Sequence, residues 1–242
     1  MIEIAVITPV PQYIKTLVEN SILRKALEKN IVKLEIVNLR EFGLGRYRQI
    51  DDKPYGGLHG MVLMAKPLND AIEYSLSLFI QKEKDVKIIY PTPQGENWNQ
   101  DTAFKFSKEK KIIFICGHYK GIDERIIKKY VPDEYSIGDF VMTCGEIPAM
   151  IMLDSMLRLV PGTLNNIDSA LTDSHSSLLL DNPYYTHPRK IFGYSVPKVL
   201  LSGHHSNIKS WQIKKKKEVT KNKRPDIYKK YQKSIKLEKK YE

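Results

Sequence analysis

Short apolar runs alternate with helically spaced apolar positions through the first two thirds of the chain. Ile2–Thr8, Val32–Leu39, Val86–Tyr90 and Lys111–Cys116 have strand length, and the last three are rich in Ile and Val. Between them, Ile14–Asn30 (Leu17, Ser21, Leu23, Leu27) and Leu68–Ile80 repeat at helical spacing. Strands alternating with helices predict an α/β fold with a parallel sheet covered on both faces. Glu146–Leu159 predicts a further helix, apolar at Ile147, Met150, Ile151, Leu153, Met156 and Leu157, with Pro148 tolerated in the first turn. A helix apolar almost all round is buried deeply or packed in a subunit interface. After it, residues 162–180 are turn-rich and polar and read as a linker, while Trp211–Lys217 and Pro225–Lys240 read as basic helices. The expected organisation is a main domain over 1–161, a linker over 162–180 and a small helical C-terminal domain over 181–242.

Composition narrows the class. With 242 residues and 42% hydrophobic content the chain can bury a real core. No apolar run approaches the roughly 18 residues that span a bilayer, and the first residues read as a strand rather than a leader. Cys116 and Cys144 show no metal-like spacing and suit a reducing compartment, so a cytoplasmic protein is expected. Charge is concentrated: Lys209–Glu242 holds 14 Lys/Arg against 4 Asp/Glu, a net +10, leaving +1 for the rest. A polyanion, and nucleic acid first, is the natural partner, although a solvated Lys-rich helix is the bland alternative. Lysine outnumbers arginine there, which favours phosphate attraction over base readout.

Five clusters are candidates for chemistry. Tyr47–Met61 contains Asp51, Tyr55, Gly56, Gly57, His59 and Gly60; its glycines permit unusual backbone angles or close ligand approach, and Tyr55 can stack on a base. Tyr90–Gly95 lies at the carboxyl end of a predicted strand, where open α/β sheets bind ligands. Gly117–Arg125 and Ser136–Met150 each leave an apolar run and turn on glycine. Neither a G-x-G-x-x-G nor a G-x-x-x-x-G-K-[ST] loop occurs anywhere. In the fifth cluster, Ser169–His175, Asp173 reads locally as a helix N-cap and His175 as solvent-exposed. His204-His205 are adjacent and do not face one way, so no metal site is expected, and no hydrolase triad is supported.

In chain order, the motifs are Asp51-Asp-Lys-Pro-Tyr-Gly-Gly57 with Gly60-Met61, Pro93-Gln-Gly95, Cys116-Gly-His-Tyr-Lys-Gly-Ile-Asp-Glu-Arg125, Ser136-Ile-Gly-Asp-Phe-Val141, Gly145-Glu-Ile-Pro-Ala149, Ser169-Ala-Leu-Thr-Asp-Ser174 and Val199-Leu-Leu-Ser-Gly-His204. Together they resemble the bacterial tRNA (guanine-N1)-methyltransferase (TrmD) family of the SPOUT superfamily, over nearly the whole chain. The resemblance implies a SPOUT-type parallel sheet with a deep trefoil knot, a rare exception to the rule against threading. It implies a homodimer with the active site at the subunit interface, and S-adenosylmethionine as cofactor, with a Mg²⁺ requirement left open. The implied cofactor residues are Tyr90, Pro91, Thr92, Pro93, Gln94 and Gly95; Gly117 and Tyr119; and Ser136, Ile137, Gly138, Asp139, Phe140, Val141, Met142, Cys144, Gly145 and Pro148. The implied substrate residues are Asp51, Tyr55, Gly56, Gly57, His59 and Gly60.

The implied reaction methylates N1 of the guanosine at tRNA position 37, just 3′ of the anticodon, and so contributes to reading-frame maintenance. Neutral guanine carries a proton on N1, so a general base is needed; the resemblance gives that role to Asp173, against its local reading as a cap. It gives Arg158 the role of stabilising charge on guanine O6. The target base must leave the anticodon stack, and the basic C-terminal domain would grip anticodon-stem phosphates. Two alternatives stay open: a SPOUT-type ribose 2′-O-methyltransferase, which would not need the Asp173 segment, and a non-catalytic basic RNA-binding protein.

Overall fold

The structure, a computed structural model, describes residues 1–20, 22–57, 59–79, 86–164 and 173–241. The chain forms two compact units, Met1–Ile167 and Asp168–Glu242.

The first unit is built on parallel strands: β1 (Ile2–Thr8), β2 (Val32–Asn38), β5 (Lys87–Asn97), β6 (Lys111–Ile115) and β7 (Asp133–Ser136), in the order β2-β1-β6-β5-β7. Every residue of β6 is buried, as expected of a central parallel strand covered on both faces. Edge strand β2 instead mixes buried and exposed positions. The helices are α1 (Pro11–Asn20), α2 (Ile22–Glu28), α3 (Ala65–Ser77), α4 (Gln100–Phe106), α5 (Glu124–Tyr130) and α6 (Glu146–Leu157), with a short antiparallel pair β3 (Asp51–Asp52) and β4 (Val62–Leu63) between β2 and α3. Ala5, Ile7, Ile113 and Ile115 from the sheet pack with Leu68, Ala71 and Ile72 of α3 and with Ile126 of α5.

Two expectations change. The single helix over Ile14–Asn30 is two helices, α1 and α2, on either side of Ser21, which lies outside the described residues. Ile14 and Leu23 are both buried; at 3.6 residues per turn, nine positions put them on opposite sides of a straight helix, so a break is needed to bury both. The strand expected to end at Tyr90 is also longer. Strand β5 runs on to Asn97, with its register against β7 shifting between Pro91 and Glu96. Pro91 and Pro93 have no N–H to give the ladder, which lets this stretch leave the pairing and rejoin it. Gly95 serves the rejoining: a Cβ there would lie 2.4 Å from the backbone of Glu134 and Tyr135.

The second unit contains a hairpin, β8 (Lys190–Ile191) with β9 (Tyr194–Ser195), and two long helices, α7 (His205–Lys223) and α8 (Pro225–Tyr241). Helix α7 extends well beyond the expected Trp211–Lys217. Within the expected linker, residues 165–172 lie outside the described residues. Residues 173–180 are tied into this unit: Leu180 N–H donates to Thr220 Oγ1 of α7 (2.8 Å), and Asp181 N–H donates to Ser174 Oγ (2.9 Å). Asp181 also accepts from Lys216 (2.9 Å) and from the Tyr184 hydroxyl. That hydroxyl contact pushes the Tyr184 phenol up to about 12. Among the described residues no helix is long and apolar enough to cross a membrane.

Candidate functional site

Three strand-end segments meet at the carboxyl edge of the sheet around a cavity of about 520 Å³. One is the stretch of β5 that leaves the pairing (Tyr90–Gln94), and the others lead out of β6 (Gly117–Gly121) and β7 (Ser136–Gly145), with Pro148 of α6 and Gly60-Met61 completing the lining. A parallel sheet places such a site here because all its strands deliver their following turns to one edge.

The walls are joined backbone to backbone. Gly145 N–H donates to the Gly117 carbonyl (2.8 Å), and His118 and Cys144 form an antiparallel bridge. A Cβ on Gly145 would sit 2.5 Å from Gly117 N and 2.9 Å from its O, so only glycine allows this crossing. The Gly60 segment is pinned to the same turn: Lys120 N–H donates to the Met61 carbonyl (3.0 Å) and Leu63 N–H to the Gly121 carbonyl (3.0 Å). Ser136 Oγ donates to the Gly138 carbonyl (2.9 Å), closing the third turn, where Gly138 has a φ of 149°.

Beneath the crossing lies a polar cluster of side chains. Glu146, the first residue of α6, has 0% exposure, and both its oxygens accept from His118 Nε2 (2.9 and 2.7 Å). Thr8 Oγ1, at the end of β1, also donates to it. Burial alone would raise the carboxyl, but donation from His118 and Thr8 outweighs it and the group is held below its ordinary value. Glu146 is therefore an ionised acceptor at neutral pH, which fixes the Nε2 proton on His118. Burial also shifts up the Tyr90 and Tyr135 phenols and, well above its ordinary value, the Cys116 thiol. A thiol held protonated is no nucleophile.

A family model described as tRNA (Guanine-1)-methyltransferase TrmD matches residues 2–230. The chain belongs to this family. It is 44% identical over 97% of its length to a Shouchella clausii protein named tRNA (guanine-N(1)-)-methyltransferase, covering 94% of that protein. A Listeria monocytogenes protein of the same name is 43% identical, with 95% of this chain and 93% of that protein covered. One from Ruminiclostridium cellulolyticum is 41% identical, with 93% and 95% covered.

Of the residues that the family resemblance assigns to the cofactor, all but Gly95 and Asp139 line the cavity. Cys144 is buried and keeps a φ outside the left-handed region, so its side chain is accommodated without strain. Tyr119 does adopt that region (φ 59°). Of the expected substrate residues, Gly60 lines the cavity. Gly56, Gly57 and Gly60 have φ of 88°, 75° and 103°, and Tyr55 is 98% exposed at the tip of their loop. Asp51 starts β3, His59 is exposed, and Leu58 beside it lies outside the described residues. Arg158 caps the carboxyl end of α6. Asp173 is half-buried, and its carbonyl accepts from Ser176 N–H (3.2 Å); Ser169 to Thr172 of its motif lie outside the described residues. Sequence reasoning passed over His118, Glu146 and Thr8. A signal existed: a carboxylate at the head of an otherwise apolar helix cannot be buried without partners.

Proposed function

We propose that the protein transfers a methyl group from S-adenosylmethionine to N1 of the tRNA guanosine just 3′ of the anticodon, and thereby supports reading-frame maintenance. The observation that carries this reading is the family match across residues 2–230 together with a strand-end cavity lined by the matched motifs. The residues present fit the cofactor. Gly117 and Gly121 stand where a Cβ would press on Tyr90 (2.9 and 3.2 Å), leaving the backbone close to the ligand space. Pro91, Pro93, Ile137 and Pro148 offer flat apolar walls to an adenine ring. When bound, S-adenosylmethionine supplies an electrophilic methyl group.

The chain's own residues then solve the problem posed by guanine. The N1 lone pair is released only as its proton leaves, and the Asp173 carboxylate is the acceptor for that proton. Arg158 donates to O6, where negative charge develops as N1 is deprotonated. Asp51, Tyr55, Gly56, Gly57, His59 and Gly60 hold the displaced base, and the hydrogen bonds from the Gly60 segment to the Gly117–Gly121 turn fix it relative to the cofactor wall. The first unit follows the family's trefoil knot, a reading supported by the tight passage of Gly145 over Gly117. Two copies form a homodimer with the active site between them, in the cytoplasm; the exposed Ile147 and Ile151 of α6 support the interface.

The deciding experiment compares a tRNA transcript carrying guanosine after the anticodon with one carrying adenosine there. Methylation of the first alone, mapped to N1 by nuclease digestion and mass spectrometry, is expected; a methyl on a ribose 2′-oxygen defeats the reading. Asp173→Asn should cut turnover by about 10²- to 10⁴-fold while calorimetry shows cofactor binding retained. Running the assay with and without Mg²⁺ settles that requirement.

A further inference from the structure

The β8–β9 hairpin is built in a way that folding alone does not call for. Its two residue pairs, Lys190–Ser195 and Ile191–Tyr194, are closed by Val196 N–H donating to the Arg189 carbonyl (3.0 Å). The tip is Phe192-Gly193, with φ of 52° and 82°. Tips with positive φ at both positions favour Asn-Gly or Gly-Gly, and an aromatic residue in the left-handed region is strained. Burial does not offset that strain: Phe192 is 87% exposed and Tyr194 81%. The whole stretch from Pro183 to Ser195 is exposed. A hairpin this short is marginal by itself, and a strained residue at its tip beside two solvent-facing rings is a feature of binding elements rather than of cores.

The charge around the rings says what they meet. Residues 182–217 contain no Asp or Glu but eight Lys/Arg. Arg189 and Lys190 lead into the tip, and Lys198 follows the second strand. Exposed rings flanked in sequence by Arg189, Lys190 and Lys198, with no carboxylate between Asp181 and Glu218, match unpaired nucleotides, whose bases stack on aromatic faces while their phosphates take the cations. We propose that the β8–β9 hairpin is a stacking element for unpaired tRNA nucleotides, with Phe192 and Tyr194 against bases and Arg189 and Lys190 against the flanking phosphates. The choice of tRNA as the RNA rests on the function proposed above.

The test measures tRNA affinity of the full chain across a range of salt concentrations. Phe192→Ala with Tyr194→Ala should weaken binding by on the order of tenfold or more. The salt slope should not change, because neutral rings displace no counterions. Arg189→Gln with Lys190→Gln should instead lower the slope by about one for each phosphate left without its cation. Phe192→Asn guards against misfolding: it relieves the turn and keeps or raises thermal stability, yet should still lose affinity. Phe192→Trp should retain it. Wild-type affinity in the Asn variant overturns the proposal, as does a change of oligomeric state in the double-alanine variant, which would make the rings a contact between copies. The two readings fail separately. If the wild type does not methylate guanine N1 but the Asn variant loses RNA affinity, the hairpin proposal stands without the enzymatic one. If the wild type methylates N1 and the Asn variant binds tRNA normally, only the hairpin proposal falls.

Discussion

At the scale of single residues, the fate of Glu146 decides whether the cavity keeps its shape. A carboxylate with no exposure survives there because His118 and Thr8 donate to it. His118→Ala removes one donor and leaves a buried charge short of partners, so the expected loss is about 3 kcal/mol in urea denaturation at pH 7. Adding Glu146→Gln should recover part of it, since no uncompensated charge then remains. The pH dependence has a definite sign. The folded-state value lies below the ordinary 4.5, so the carboxylate's contribution is fully present above about pH 4.5 and is lost as pH falls through the depressed value. The wild-type denaturation midpoint should therefore drop on acidification more steeply than that of Glu146→Gln; equal slopes would show that Glu146 titrates normally. Asp173 poses a different problem in the sequence. Its proposed role as base rests on family likeness, because one carboxylate in a polar stretch looks like a cap by every local criterion.

At the scale of elements, glycines in this chain do two different jobs, and substitution separates them. Gly145 has an ordinary φ of −81°, so an alanine there is conformationally allowed. Its methyl would nevertheless meet the Gly117 backbone at 2.5 Å. Gly57 is the reverse case, with a φ of 75° and open space around it. Gly145→Ala should cost about 1–3 kcal/mol by overpacking and lower S-adenosylmethionine affinity by more than tenfold in calorimetry. Gly57→Ala should cost about 1 kcal/mol and leave cofactor affinity unchanged. From sequence, Gly57 read as allowing unusual backbone angles or close ligand approach and Gly145 as part of a glycine turn, since nothing local reports which other segment lies against them. The same limit explains why the strand over Val86–Tyr90 was expected to end too early. Pro91 and Pro93 look like the end of a strand, but partner β7, some forty residues later in sequence, takes the strand up again at Glu96. Strands β1 and β6 were legible because burial on both faces writes itself into a nearly continuous apolar run, and edge strand β2 because Val32, Leu34 and Ile36 alternate with Lys33 and Glu35. Helix α6 was legible for the same reason, and its residual exposure adds information. Ile147 and Ile151 stand one turn apart and remain 38% and 47% exposed. If two copies pair through this face as proposed, replacing both with Glu should convert a dimer to a monomer in sedimentation and abolish the activity of a shared active site; an unchanged sedimentation coefficient would remove α6 from the interface.

At the scale of the molecule, charge is divided as sharply as fold. The last 34 residues carry +10 and everything before them +1, so attraction to a polyanion belongs to the second unit. Not every lysine there is equally available for it. Lys215 is paired with Glu218 (2.8 Å), and Lys216 with Asp181 (2.9 Å). Lys214, Lys221 and Lys223 are exposed along α7, and the first two are seven positions apart, on one helical face. Replacing these three with Gln should leave the first unit's cavity untouched. S-adenosylmethionine affinity should then match the wild type, while tRNA affinity falls and its salt slope drops by up to about three, one for each phosphate no longer neutralised. Replacing Lys215 and Lys216 instead should reduce thermal stability by breaking the Asp181 pair and move the slope less. If both sets changed the slope alike, the paired lysines would be exchanging carboxylates for phosphates on binding, and the long basic helix would act as a diffuse field rather than through particular contacts.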